Sequence, residues 1–166
     1  MTAIQLLQAI GTELQNEIIG YLQTEQRPAY RAVIQNLAAA RKLRPVYVQS
    51  KSKAEQAAWL LGQMTLRTNE EVTAQILQIW LLKGQPQMLV TFLDAAGIAH
   101  NGEGEVEELP DDITEETATA GITALLADYP AKKVALYLHM FQMQKEGGFT
   151  GITQAIEKQP DLKLAA

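Results

Sequence analysis

The chain has 166 residues, of which 47% are hydrophobic and 20% charged, a balance that suits a folded domain with its own core and excludes extended disorder. Cysteine is absent, which rules out disulfides, thiolate nucleophiles and cysteine-bound metal. The net charge of −5 divides into +4 over residues 1–68 and −9 over residues 69–166, so the whole is a poor generic binder of phosphate backbones but can still present one positive face.

The first residues carry no basic segment ahead of an apolar run, and no apolar stretch nears the roughly 18 residues of a membrane span. The expectation is one all-helical domain over 1–166, cytoplasmic and without membrane contact. Residues 3–22 place Leu6, Leu7, Ile10, Leu14, Ile18 and Leu22 at helical spacing, predicting one surface helix with a buried stripe and Gly20 near its end. Pro28 fits the first turn of a second helix lined by Tyr30, Val33, Ile34 and Leu37. Its run Ala38-Ala39-Ala40 lets a neighbour approach closely.

Arg44 precedes Pro45 and is pushed toward extended backbone, which stops that helix. Val46-Tyr47-Val48 then reads as a short extended segment. A third helix is expected over residues 53–66, built on Ala54, Ala57, Ala58 and Leu61 with Trp59. Thr68 and Glu71 have the spacing of a capping box, opening a fourth helix through Val72, Ile76, Ile79 and Trp80 that Gly84 ends. Pro86 opens a fifth, carrying Leu89, Val90, Phe92 and Leu93 as far as Gly97.

Residues 98–112 form a long acidic loop. Asp112 and Glu115 make a second capping-box pattern, before a helix on Ile122, Leu125 and Leu126. Pro130 starts another, with Val134, Leu136, Tyr137 and Met140 or Phe141, which Gly147-Gly148 breaks. A short helix over residues 151–158 precedes Pro160 and a frayed tail.

Leu81-Leu82, Pro86, Val90 and Phe92 match Leu125-Leu126, Pro130, Val134 and Leu136 at a constant offset of 44. Such an offset resembles the period of stacked helix pairs of the HEAT or armadillo type. Proline-entered helical hairpins of any origin share this spacing too. The fold class is therefore all-α: antiparallel hairpins forming a bundle or a short HEAT-like array of about eight helices.

Little in the chain points to chemistry. His100 falls in the loop and His139 inside an apolar helix, where a partly buried structural role is expected. The two do not form a helical His-x-x-x-His pair. His100 with Asn101, Glu103 and Glu105 could hold a cation or polar ligand, but the order Asn-Gly-Glu-Gly-Glu does not follow the EF-hand pattern. Gly102-x-Gly104 lacks the strand and third glycine of a dinucleotide fingerprint. No catalytic residue, cofactor or metal is assigned.

The distinctive segment is 41–53, where Arg41, Lys42, Arg44, Lys51 and Lys53 surround Tyr47 on irregular backbone. Bases at a helix C-terminus also satisfy the helix dipole. The strip can instead meet phosphate, an acidic peptide, or the chain's own acidic loop within a molecule or across a dimer. The reading is a protein-interaction or scaffolding module, with a protein partner or self-association expected and nucleic acid ranked behind them. Its candidate contacts are the six strip residues together with His100, Glu103 and Glu105. The alternative is a small enzyme or ligand-binding protein with an interhelical site near His100, Tyr47 or Trp80.

Overall fold

A computed structural model describes residues 1–165, and the fold is all-α, with ten α-helices among them. No helix of the described residues is long and apolar enough to cross a membrane. The chain divides into two compact units, Thr2–Trp80 and the segment from Leu81 onward.

In the first unit, the stripe expected to make one helix makes two, α1 (Ala3–Ala9) and α2 (Thr12–Glu25). Gly11 separates them at φ 86°, a conformation that glycine adopts without penalty. Gly20 accordingly lies in the middle of α2 rather than at a helix end. The fourfold spacing of Leu6, Ile10, Leu14, Ile18 and Leu22 runs through the break, and all five are buried. Two side chains satisfy the N-terminal N–H groups of short α1. Thr2 accepts from Gln5 N–H in a complete capping box, and the Glu70 carboxylate accepts from Ala3 N–H at 2.5 Å and Ile4 N–H at 3.1 Å.

The capping box expected from Thr68 and Glu71 does not form. Residues Arg67–Asn69 form a 3-10 turn, and α6 (Glu70–Ile79) begins without a side-chain cap. Between these elements lie α3 (Arg27–Ala40), α4 (Pro45–Gln49) and α5 (Lys53–Met64). Helix α2 packs on α3 and α5, α3 on α4, and α1 on α6. The apolar face of α5 is Leu60 and Met64, while Ala54 and Ala58 are exposed. Larger side chains remove more apolar surface from water, so the leucine–methionine pair at i and i+4 sets the helix orientation. Of the three alanines ending α3, Ala38 alone is buried.

In the second unit, the chain leaves a π-helical turn (Trp80–Gly84) and forms α7 (Pro86–Ala95), α8 (Glu115–Asp128), α9 (Ala131–Gln142) and α10 (Thr150–Glu157). Helix α8 is central, packed against both α7 and α10. Two glycines permit these crossings: a Cβ on Gly121 would enter the Phe92 ring, and one on Gly151 would overlap the backbone of Ile113 and Thr114. The cap of α8 is Thr114, accepting from Thr117 N–H at 3.2 Å. Asp112, expected in that role, instead accepts from Ile113 N–H at 2.8 Å.

The residues paired at offset 44 share burial at Leu81 and Leu125 and at Phe92 and Leu136. Their turns close differently, since Pro86 is the first residue of α7 whereas Pro130 caps α9 from outside in extended backbone. The chain end, expected to fray after Pro160, makes a 3-10 turn (Pro160–Leu162) that buries Leu162.

Candidate functional site

The basic strip begins where α3 ends. Lys42 N–H donates to Ala39 O at 2.9 Å and Leu43 N–H to Ala38 O at 2.8 Å, the paired bonds of a Schellman ending. The motif needs a left-handed residue, normally glycine, and here Lys42 takes that place at φ 57°. The same motif ends α7 with Gly97 at φ 69°, where Ile98 N–H donates to Leu93 O at 2.8 Å. A left-handed lysine costs roughly 1–2 kcal/mol over glycine, and such strain at an exposed residue is a pointer to use.

Pro45 does not merely stop a helix. It opens α4, so the segment expected to be extended is helical. Pro45 has the fixed φ suited to a first turn, and the burial of Val48 anchors the element. Val46 and Tyr47 point outward at 61% and 53% exposure, whereas Val48 is at 0%. Lys51 Nζ lies 4.8 Å from the centre of the Tyr47 ring, a cation–π contact.

Three elements lock this tip in place. Gln56 of α5 donates through Nε2 to Gln49 O at 3.1 Å and Lys51 O at 2.8 Å. Its Oε1 accepts from the Tyr30 hydroxyl of α3 at 2.8 Å, and that hydroxyl accepts from Gln23 Nε2 of α2 at 3.2 Å. Burial pushes the Tyr30 phenol above its ordinary pKa, which keeps it a donor. Arg41, Lys42, Arg44 and Lys53 are exposed, and none of the five strip cations has a carboxylate partner in its own unit among the described residues. Arg41 and Lys42 sit at a helix C-terminus, where the dipole favours cations. Lys53 opens α5, at the end that disfavours them.

The acidic loop of the second unit is tied to itself. Asn101 Oδ1 accepts from Glu103 N–H at 2.8 Å and Glu105 N–H at 3.1 Å, while its Nδ2 donates to Glu105 Oε2 at 3.0 Å. Gly104 is buried at φ 97°, and a Cβ there would overlap Leu89. The His100 ring is largely enclosed and both nitrogens are engaged: Nδ1 accepts from Gly102 N–H at 3.0 Å, so Nε2 donates to Asp94 Oδ1 at 2.7 Å. The carboxylates of Glu103 and Glu105 are exposed. No group of three His, Asp or Glu that could hold a metal ion occurs among the described residues.

Beside this loop lies an open crevice of about 710 Å³. Ala96 and Ile113 are buried at its base with half-buried Ile98 and Leu109, and exposed Glu107, Glu108, Asp111 and Asp112 edge it. Lys145 Nζ donates to the Asp111 carbonyl, bracing the edge.

His139, on α9, is half-buried with Nε2 3.4 Å from Leu162 O. Burial lowers its pKa from the ordinary 6.5, opposed by that backbone bond. Tyr137 is buried against Phe92 and Phe141, with ring centres 5.4 and 6.0 Å away. Its hydroxyl has no hydrogen-bond partner among the described residues.

Sequence reasoning found the strip's charges but missed the exposed Val46, the strain at Lys42 and the bracing by Gln56. Only the glutamine's position one turn after Ser52 hinted at the last. No known protein family, curated protein or solved structure matches the chain.

Proposed function

We propose that the chain is a protein-interaction module whose contact surface is α4 with the basic turns on either side of it. The observation that carries this reading is the exposure of Val46 and Tyr47 among cations that lack ion-pair partners in their own unit. Exposed aromatic and arginine side chains have the composition of interface anchors, where apolar area supplies affinity and the surrounding charge supplies orientation and rate. Arg41, Lys42, Arg44, Lys51 and Lys53 select an acidic partner, Tyr47 and Val46 bury against it, and Gln56 holds the tip in position.

A phosphate-backbone ligand would use the same cations, but it would leave Val46 without a role and would meet an overall charge of −5. A ligand site centred on His100 has less support, because both ring nitrogens already have partners.

The test places a photo-crosslinking side chain at position 46 or 47 of the full chain and irradiates it in native extract. A discrete adduct is expected at both positions and not at exposed Asn16, with loss of the adduct in Arg44→Glu/Lys51→Glu. No adduct at either position would overturn the reading.

A further inference from the structure

We infer that the partner of the strip is a second copy of this chain, which receives the tip of α4 in its acidic crevice. The inference rests on the interaction reading above and names its partner. Its basis is that one chain carries both halves of a complementary contact. Residues 41–53 hold five cations and no acid, and residues 98–112 hold six acids and no lysine or arginine.

The apolar parts are arranged to match. On the strip, Val46 and Tyr47 stand exposed between Arg44 and Lys51. In the crevice, Ile98 and Leu109 lie between exposed carboxylates, with about 710 Å³ of open space above them. A seated tip removes apolar surface from water on both sides while each cation meets a carboxylate.

Among the described residues, neither charge run forms ion pairs between its side chains and oppositely charged side chains of its own unit. The strip cations have no carboxylate partner there, the Asp112 carboxylate accepts only from the neighbouring Ile113 N–H, and Lys145 donates to the Asp111 backbone carbonyl rather than to a loop carboxylate. Two different surfaces on one chain give two contacts when a pair closes about a twofold axis. The same surfaces would grow into longer assemblies if the rotation does not close.

Sedimentation equilibrium of the purified full chain tests this with two charge-reversed forms. Arg44→Glu/Lys51→Glu makes the strip acidic, and Glu107→Lys/Glu108→Lys makes the crevice edge basic; all four side chains project from the surface or its margin. Wild type is expected to self-associate, and each reversed form to do so about tenfold or more weakly. An equimolar mixture of the two should associate again, since the intact strip of one meets the intact crevice of the other.

A wild-type chain that stays monomeric, or a mixture that fails to restore association, overturns the inference. A monomer whose position 46 crosslinks within its own chain overturns it as well. If the wild type is monomeric while position 46 captures a different protein in a manner dependent on Arg44 and Lys51, the self-association inference falls and the interaction reading stands. With neither association nor adduct, both fall.

Discussion

Lys42 and Gly97 occupy the same place in two copies of one helix-ending motif, which isolates the effect of a side chain in left-handed backbone. Lys42→Gly relieves the clash of Cβ with the following carbonyl but adds freedom to the unfolded chain. The expected net effect is about 0.5–1 kcal/mol of added stability, measured by urea unfolding, together with weaker partner capture because a cation is lost. A variant that is less stable than wild type would show that Lys42 makes stabilising contacts. Tyr137 offers a second case at this scale. Its ring packs against two phenylalanines and its buried hydroxyl has no partner among the described residues, and a buried unsatisfied group costs about 1–3 kcal/mol. Tyr137→Phe is therefore expected to raise stability by about 1 kcal/mol, and an equal loss would indicate that the hydroxyl is bonded in solution.

At the scale of elements, α4 shows what local sequence does and does not determine. Five residues are too few for a helix to persist alone, and Val-Tyr-Val favours extended backbone. Pro45, the burial of Val48 and the two bonds from Gln56 override that preference. Gln56→Ala should therefore speed amide exchange across residues 46–51 while leaving exchange in α2 and α3 unchanged, as read by hydrogen–deuterium exchange. Unaltered exchange at 46–51 would mean that the glutamine does not brace the tip. Helix identity was legible because leucine and isoleucine spacing reports burial directly, as in the stripe of α2, while the stop at Gly84 and the start of α7 at Pro86 follow from glycine and proline backbone chemistry. Breaks and caps were less legible. The fourfold apolar spacing continues through Gly11, so periodicity alone does not register the break. Thr68 and Asp112 had the correct spacing for caps, but α6 starts uncapped and Thr114 takes the place of Asp112. In α5 alanine counted as apolar, although its small surface contributes little to orienting a helix. The strip's charges were visible in sequence, whereas the outward projection of Val46 depends on the helical phase of α4.

For the whole molecule, stability against pH offers a reading independent of the interface. His139 has a folded-state pKa below its ordinary 6.5 because burial disfavours the imidazolium. The unfolded chain then binds the proton more readily, so stability is fully present above the unfolded value and declines as pH falls through it. Thermal unfolding should accordingly show a falling Tm from about pH 7 to about pH 5, above the range in which most carboxylates titrate. His139→Gln should flatten that slope, and an unchanged slope would place its origin elsewhere.

The charge asymmetry also belongs to this scale. A positive first segment and a strongly negative remainder give each chain both signs of field, which favours oriented encounter at low ionic strength. The most direct measurement is the crosslinking yield at positions 46 and 47 beside that at exposed Asn16 and Thr123, followed from about 0.01 M to about 1 M salt as the Debye length falls from about 30 to about 3 Å. The expected result is a high yield confined to 46 and 47 that drops steeply as salt is raised. Equal yields at all four positions, or a yield at 46 and 47 indifferent to salt, would contradict the assignment of α4 and its flanking cations as the contact surface.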